Sequence, residues 1–176
     1  DAKTGTFARC VYSDVIATTS SVGSVTPAIE LLGVYNGNDE YGEIFGDKDL
    51  TADRPIVAVK MNNIENASAV YVALSTDKYS DVAALPDRYI IADFRGYWQT
   101  LQSLAVPYHF FVSDWDVEQT VVAYAQDANG NEGQVGKLGV TPVSAGDINE
   151  LKGYVEEVNS AIPQVAKSLV FNEPSD

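Results

Sequence analysis

Hydrophobic and polar residues alternate with a two-residue period over most of the chain, and the alternation breaks at clusters of Gly, Asn, Asp and Pro. That pattern predicts short strands joined by turns. Residues 4–12 and 28–35 read as strands, and residues 20–27 as a loop. Asn36-Gly37-Asn38-Asp39 is a strong turn, and a short return strand at 41–45 would close a hairpin over 28–45. Residues 46–55 (GDKDLTADRP) are polar and end in proline, which marks the best domain boundary. After it, residues 56–61 place Val57, Val59 and Met61 on one face. Residues 68–75 place Val70, Val72 and Leu74 on one face and Ala69, Tyr71 and Ala73 on the other. Residues 77–87 read as a loop with a turn of helix at 81–85, residues 88–95 as a strand, and residues 96–105 as strand or irregular chain. Residues 108–113 group Tyr108, Phe110 and Val112 on one side.

The clearest signal is residues 120–142, TVVAYAQDANGNEGQVGKLGVTP. An alternating run, a cluster of turn formers at 127–133 and a second run over 134–141 predict a hairpin. The period then changes. Ile148, Leu151, Val155, Val158, Ile162, Val165 and Leu169 follow one another at steps of three and four, a helical stripe. Asp147 followed by Glu150 is a capping-box-like start, and Pro163 interrupts the stripe. The spacing predicts a helix over 148–161, packed either on its own sandwich or, through a heptad seam, on a partner.

The hairpin carries a resemblance. Ala125-Gln126-Asp127-Ala128-Asn129-Gly130-Asn131 looks like the Ala-x-Asp-x-x-Gly-Asn ending of the F strand in bacterial fibronectin type III-like modules. Val121 and Ala123 would be its inward residues, and Gly139-Val140-Thr141-Pro142 suits the close of such a module. One position departs from the pattern: Gln119 stands where those modules place the tyrosine-corner residue. The short Thr/Tyr/Asp-rich strands and the Gly5-Thr6-Phe7 opening resemble surface lipoproteins of Gram-negative gut bacteria. That resemblance implies an immunoglobulin-like sandwich that accompanies glycan-binding or adhesion segments.

Composition narrows the partners. The chain has 176 residues, 45% of them hydrophobic, enough for one large domain or two small ones. Asp and Glu number 25 against 11 Lys and Arg, a formal charge of −14. Such a surface argues against nucleic acid and against an anionic membrane, and leaves cations, neutral sugars and basic proteins. No stretch approaches the roughly 18 apolar residues of a membrane span. Cys10 is the one cysteine, so the chain has no internal disulfide. Arg9 stands directly before it, where a lipoprotein signal wants a small residue, so Cys10 reads as a half-buried strand residue.

Little chemistry is encoded. The one histidine, His109, sits among Tyr108, Phe110 and Phe111 and reads as a residue on a sheet face. No nucleophile elbow or phosphate-binding glycine loop appears, and one Cys with one His does not make a usual zinc site. No residue is singled out as catalytic. Asp127, Asn129 and Asn131 mimic the first half of a calcium loop, but Glu132 and Leu138 stand where it needs Gly and Glu, so they read as a turn. Asp47, Asp49 and Asp53 are the better calcium candidates, because hard cations want clustered carboxylates. Tyr97, Trp98, Asp114, Trp115 and Asp116 combine flat aromatic faces with carboxylates, the chemistry of a sugar site.

The expected fold is all-β: an antiparallel immunoglobulin/fibronectin III-like sandwich over residues 54–143. An N-terminal β unit at 1–53 precedes it, either as a domain of its own or as strands that complete the sandwich, and a C-terminal helix and tail at 144–176 follow it. The expected function is non-enzymatic: a secreted, cell-surface or periplasmic protein that binds glycan or another surface protein. No cofactor is expected, and calcium is the one candidate ion. The alternative is a spacer or assembly module that docks through Leu151, Val155 and Val158 or through a strand edge.

Overall fold

The structure, a computed structural model, describes residues 23–37, 53–75, 86–97, 100–101, 104–161 and 171–172. The strands are β1 (Ala28–Asn36), β2 (Pro55–Asn62), β3 (Ala69–Ser75), β4 (Thr100–Leu101), β5 (Tyr108–Val112), β6 (Gln119–Gln126), β7 (Gly136–Val140) and β8 (Phe171–Asn172). The helices are α1 (Asp87–Tyr97) and α2 (Ile148–Ala161). One sheet has the order β1-β2-β5-β8 and the other β4-β3-β6-β7. The three long strands of each sheet are antiparallel; of the two-residue strands, β8 joins β5 in parallel and β4 joins β3 antiparallel.

The two sheets pack face to face. Val57, Val59 and Met61 of β2 and Phe111 of β5 meet Val72 and Leu74 of β3, Val121 and Ala123 of β6, and Val140 of β7. The register makes this consistent, since Val57 pairs with Phe111 and Leu74 with Val121. Alternation turns the intervening residues outward, and those are buried as well. On the first sheet, Tyr35, Ile56, Ala58, Tyr108 and Phe110 receive Leu151, Val155 and Val158 of α2. On the second, Ala73, Val122 and Tyr124 receive Ile90 and Ile91 of α1. The order of layers is helix, sheet, sheet, helix. A strand covered on both faces is expected to read as a near-continuous apolar run, and β5 (YHFFV) does so apart from His109, as β2 (PIVAVKMN) does up to Lys60.

Several expected elements stand where the periodicity put them: the strands at β1, β2, β3, β5 and β6, the hairpin joining β6 to β7, and the helix over Ile148–Ala161. The 127–133 turn closes on itself. Asp127 Oδ1 accepts from the backbone N–H groups of Asn129 (2.9 Å) and Asn131 (3.0 Å), and Gly130 takes the positive φ of 78°.

Residues 88–95 form a helix instead of the expected strand. The run Tyr89-Ile90-Ile91 has β-forming residues, but Ile90 and Ile91 are adjacent and both reach the sheet. Consecutive side chains of a strand point to opposite faces, so only a helix buries both. The helix is tied down at each end. Asp87 accepts the Val135 N–H at 3.1 Å and lies 3.7 Å from Lys137, and Arg95 pairs with Glu132. Of the two readings of the N-terminal strands, β1 follows the second: it pairs with β2 from Ala28↔Asn62 to Asn36↔Pro55 and so belongs to the sandwich. The expected strands at 4–12 and 41–45, and Cys10, lie outside the described residues.

The helix start also differs in detail. Asp147 Oδ1 caps the Asn149 N–H at 3.0 Å, as an N-cap residue should. Glu150 does not complete a capping box; its Oε2 instead accepts the hydroxyl of Tyr35 at 2.9 Å. One heptad on, Glu157 Oε2 accepts the hydroxyl of Tyr108, also at 2.9 Å, and Tyr154 packs on the Tyr108 ring with centroids 5.4 Å apart. Two phenol–carboxylate bonds and three apolar anchors therefore fix α2 to the first sheet. Each fully buried aliphatic side chain contributes roughly 1.5–3 kcal/mol.

Candidate functional site

Two neighbouring features form at one end of the sandwich. The first is the arch between β5 and β6. Trp115 donates its indole N–H to the Asp53 carbonyl at 2.6 Å. Arg54, beside it, donates through Nε to the Ser113 carbonyl and through Nη2 to Asp114, both at 3.2 Å. Asp116 donates its backbone N–H to the Pro142 carbonyl at 2.8 Å. Asp53 and Asp116 both take positive φ, 56° and 59°, a region that Asp tolerates better than most side chains. The arch is thus bound to the segment before β2 and to the segment after β7. Trp115 is half-buried, and Asp53, Asp114 and Asp116 are exposed.

The sequence-predicted ligand residues divide here. Asp114, Trp115 and Asp116 are brought together on the arch, with Asp53 beneath them. Tyr97 ends α1, and its side chain is not described; Trp98 lies outside the described residues. Of the calcium candidates, Asp53 offers its backbone carbonyl to Trp115, and Asp47 and Asp49 lie outside the described residues. Among the described residues no three His, Cys, Asp or Glu side chains form a group able to hold a metal ion. Leu151, Val155 and Val158, expected to meet a partner, are buried against the chain's own first sheet and offer no docking face. Among the described residues no helix is long and apolar enough to cross a membrane.

The second feature is a groove of about 430 Å³ between β1 and the connection from β7 to α2. Leu31, Val34 and Tyr35 line one side, Val140, Val143 and Gly146 the other, and Glu150 closes it. Nothing in the linear pattern pointed to it. Two glycines make it. A Cβ on Gly33 would overlap the Tyr35 hydroxyl, and one on Gly146 would come within 3.3 Å of the Tyr35 ring. Gly146 also donates its N–H to the Val34 carbonyl at 2.7 Å, which ties the connection to the edge of β1. Burial and the adjacent Glu150 carboxylate push the Tyr35 phenol well above its ordinary range, so it remains a hydrogen-bond donor at any physiological pH.

Three buried polar side chains lie between the sheets. His109 is fully buried beside Phe111, with ring centroids 4.6 Å apart, and burial lowers its pKa to about 3. Ser113 and Gln119 flank the arch. Neither the Ser113 hydroxyl nor either amide atom of Gln119 finds a hydrogen-bond partner among the described residues. Gln119, the departure from the tyrosine-corner pattern, is thus a buried amide without a partner among the described residues.

No family model, no curated protein and no solved structure matches this chain.

Proposed function

We propose that this chain is a non-enzymatic binding module of the immunoglobulin/fibronectin III-like kind, carried by a secreted or envelope protein, and that the arch at Asp114–Asp116 contacts a glycan. The strand order supports the module. Strands one, two and five face three, six and seven, as in immunoglobulin-like sandwiches, with the short fourth strand beside the third. The two helices that cover the outer faces are additions to that plan. The observation that carries the glycan reading is the fixed presentation of Trp115, its indole N–H bonded at 2.6 Å to Asp53, between two exposed carboxylates. A rigid aromatic face loses little entropy on stacking against a sugar ring, and Asp116 supplies an acceptor for its hydroxyls.

The test is calorimetric titration of the protein with a panel of polysaccharides and host glycans, with and without calcium. One saturable glycan is expected, with binding weakened about tenfold or more by Trp115→Ala while the circular dichroism spectrum is unchanged. A flat response across the panel would remove the glycan reading.

A further inference from the structure

We propose that the groove between β1 and the β7–α2 connection binds a basic side chain, lysine or arginine, presented by an extended segment of a partner protein. This proposal is independent of the glycan reading. The groove joins an apolar rim to one fixed carboxylate. Leu31 is 41% exposed and Val143 is 71% exposed, and both line it. Such residues cover an aliphatic stem well. Glu150 stands at the other end, with Oε2 held by the Tyr35 hydroxyl at 2.9 Å. That bond fixes the carboxylate at the end of the groove. Among the described residues that line the groove, Glu150 carries the one charge, and it is negative. The volume, about 430 Å³, lies within the range of roughly 300–1,000 Å³ typical of small-ligand pockets, ample for a lysine or arginine side chain.

Charge complementarity selects the occupant. The net charge of −14 draws a cation toward the chain and repels an acidic segment. An ammonium or guanidinium group would meet Glu150 in a charge-assisted hydrogen bond, and its methylene stem would lie along Leu31 and Val143. An extended segment also suits the place, because among the described residues β1 pairs with no strand other than β2, and Gly146 takes only the Val34 carbonyl on its other side. Pro142 accepts the Asp116 N–H, and its neighbours Thr141 and Val143 line the groove, so a bound segment would continue onto the arch.

The test is an NMR titration of the ¹⁵N-labelled full chain with a short acetylated, amidated peptide of sequence Ala-Leu-Lys-Val-Ala, alongside versions with norleucine or glutamate replacing lysine. Saturable shifts are expected at the amides of Gly33, Gly139 and Gly146. The lysine peptide should bind about tenfold more tightly than the norleucine peptide at low salt, the factor one charged hydrogen bond supplies. Glu150→Gln, which keeps an acceptor for Tyr35, should erase that preference and leave the rest of the spectrum in place. Equal binding of the lysine and norleucine peptides, an unchanged preference in Glu150→Gln, or no saturable shift with the lysine peptide would each overturn the proposal. Shifts confined to the arch would do so as well.

Discussion

Acid should unfold this protein in part through one residue, His109. The side chain faces the space between the sheets, since His109 pairs with Val59 and shares its face with Phe111, and it is 0% exposed. Burial penalises the imidazolium, and the pKa falls from 6.5 to about 3. In the unfolded chain the ring returns to its ordinary value, near 6.5. Above pH 6.5 both states hold the ring neutral, and His109 does not affect the balance. As pH falls below 6.5 the unfolded chain gains a proton that the folded one refuses. Stability is then lost at up to about 1.4 kcal/mol per pH unit, and the loss levels off only near pH 3. By pH 5 the penalty is about 2 kcal/mol, a large part of the roughly 5–15 kcal/mol that holds a domain together. The carboxylates titrate over an overlapping range, so the assay is a difference. Urea unfolding of the native chain and of His109→Gln is followed by tryptophan fluorescence from pH 8 to pH 4.5. Whatever His109→Gln costs at pH 8, the native protein should lose ground relative to it by about 2 kcal/mol between pH 7 and pH 5. A gap that does not change with pH, or one that moves the other way, would refute the reasoning. So would an imidazole NMR signal titrating near 6.5 in the folded protein; the chain has one histidine, so the assignment is unambiguous.

Other expectations concern packing and polar satisfaction. Gln119→Leu should raise stability by about 1 kcal/mol, because it removes a buried amide whose two polar atoms lack partners among the described residues; a fall in the urea midpoint would show that the amide is satisfied. Tyr35→Phe should cost about 1 kcal/mol through loss of the bond to Glu150, with a similar cost for Tyr108→Phe at Glu157. A double-mutant cycle between Tyr108→Phe and Glu157→Gln should return most of that energy as coupling. Gly133→Ala should be among the most damaging single changes, because its Cβ would overlap the backbone carbonyl of Val25, which cannot swing aside as a side-chain tip would. A loss of about 2–4 kcal/mol is expected in thermal or urea unfolding, and a neutral result would mean that the segment before β1 does not run beside the β6–β7 turn as described.

The local pattern of the chain determined most of the strands, the hairpin that joins β6 to β7 and the extent of α2, because each depends on contacts between residues close in sequence. The two-residue period set which residues share a face of β2 and β3, and the steps of three and four set the buried stripe of α2. The same pattern left open what would cover those faces. Leu151, Val155 and Val158 could also be read as a partner-docking stripe, and the meeting of α2 with Tyr35, Ile56, Tyr108 and Phe110 decided that they belong to the chain's own core. Residues 88–95 read as a strand because β-forming side chains dominate the run, but burial of both Ile90 and Ile91 against one sheet outweighs that weak local preference. The candidate sites divide in the same way. Asp114, Trp115 and Asp116 were legible as one aromatic–acidic tripeptide. Their anchorage to Asp53 and Arg54, some sixty residues away, was not. The groove was invisible in the sequence, since it exists only where β1 comes beside the connection from β7 to α2 and two glycines admit the Tyr35 ring. A linear pattern specifies which face of an element is apolar; which surface meets that face, and what space remains between them, is decided by long-range packing.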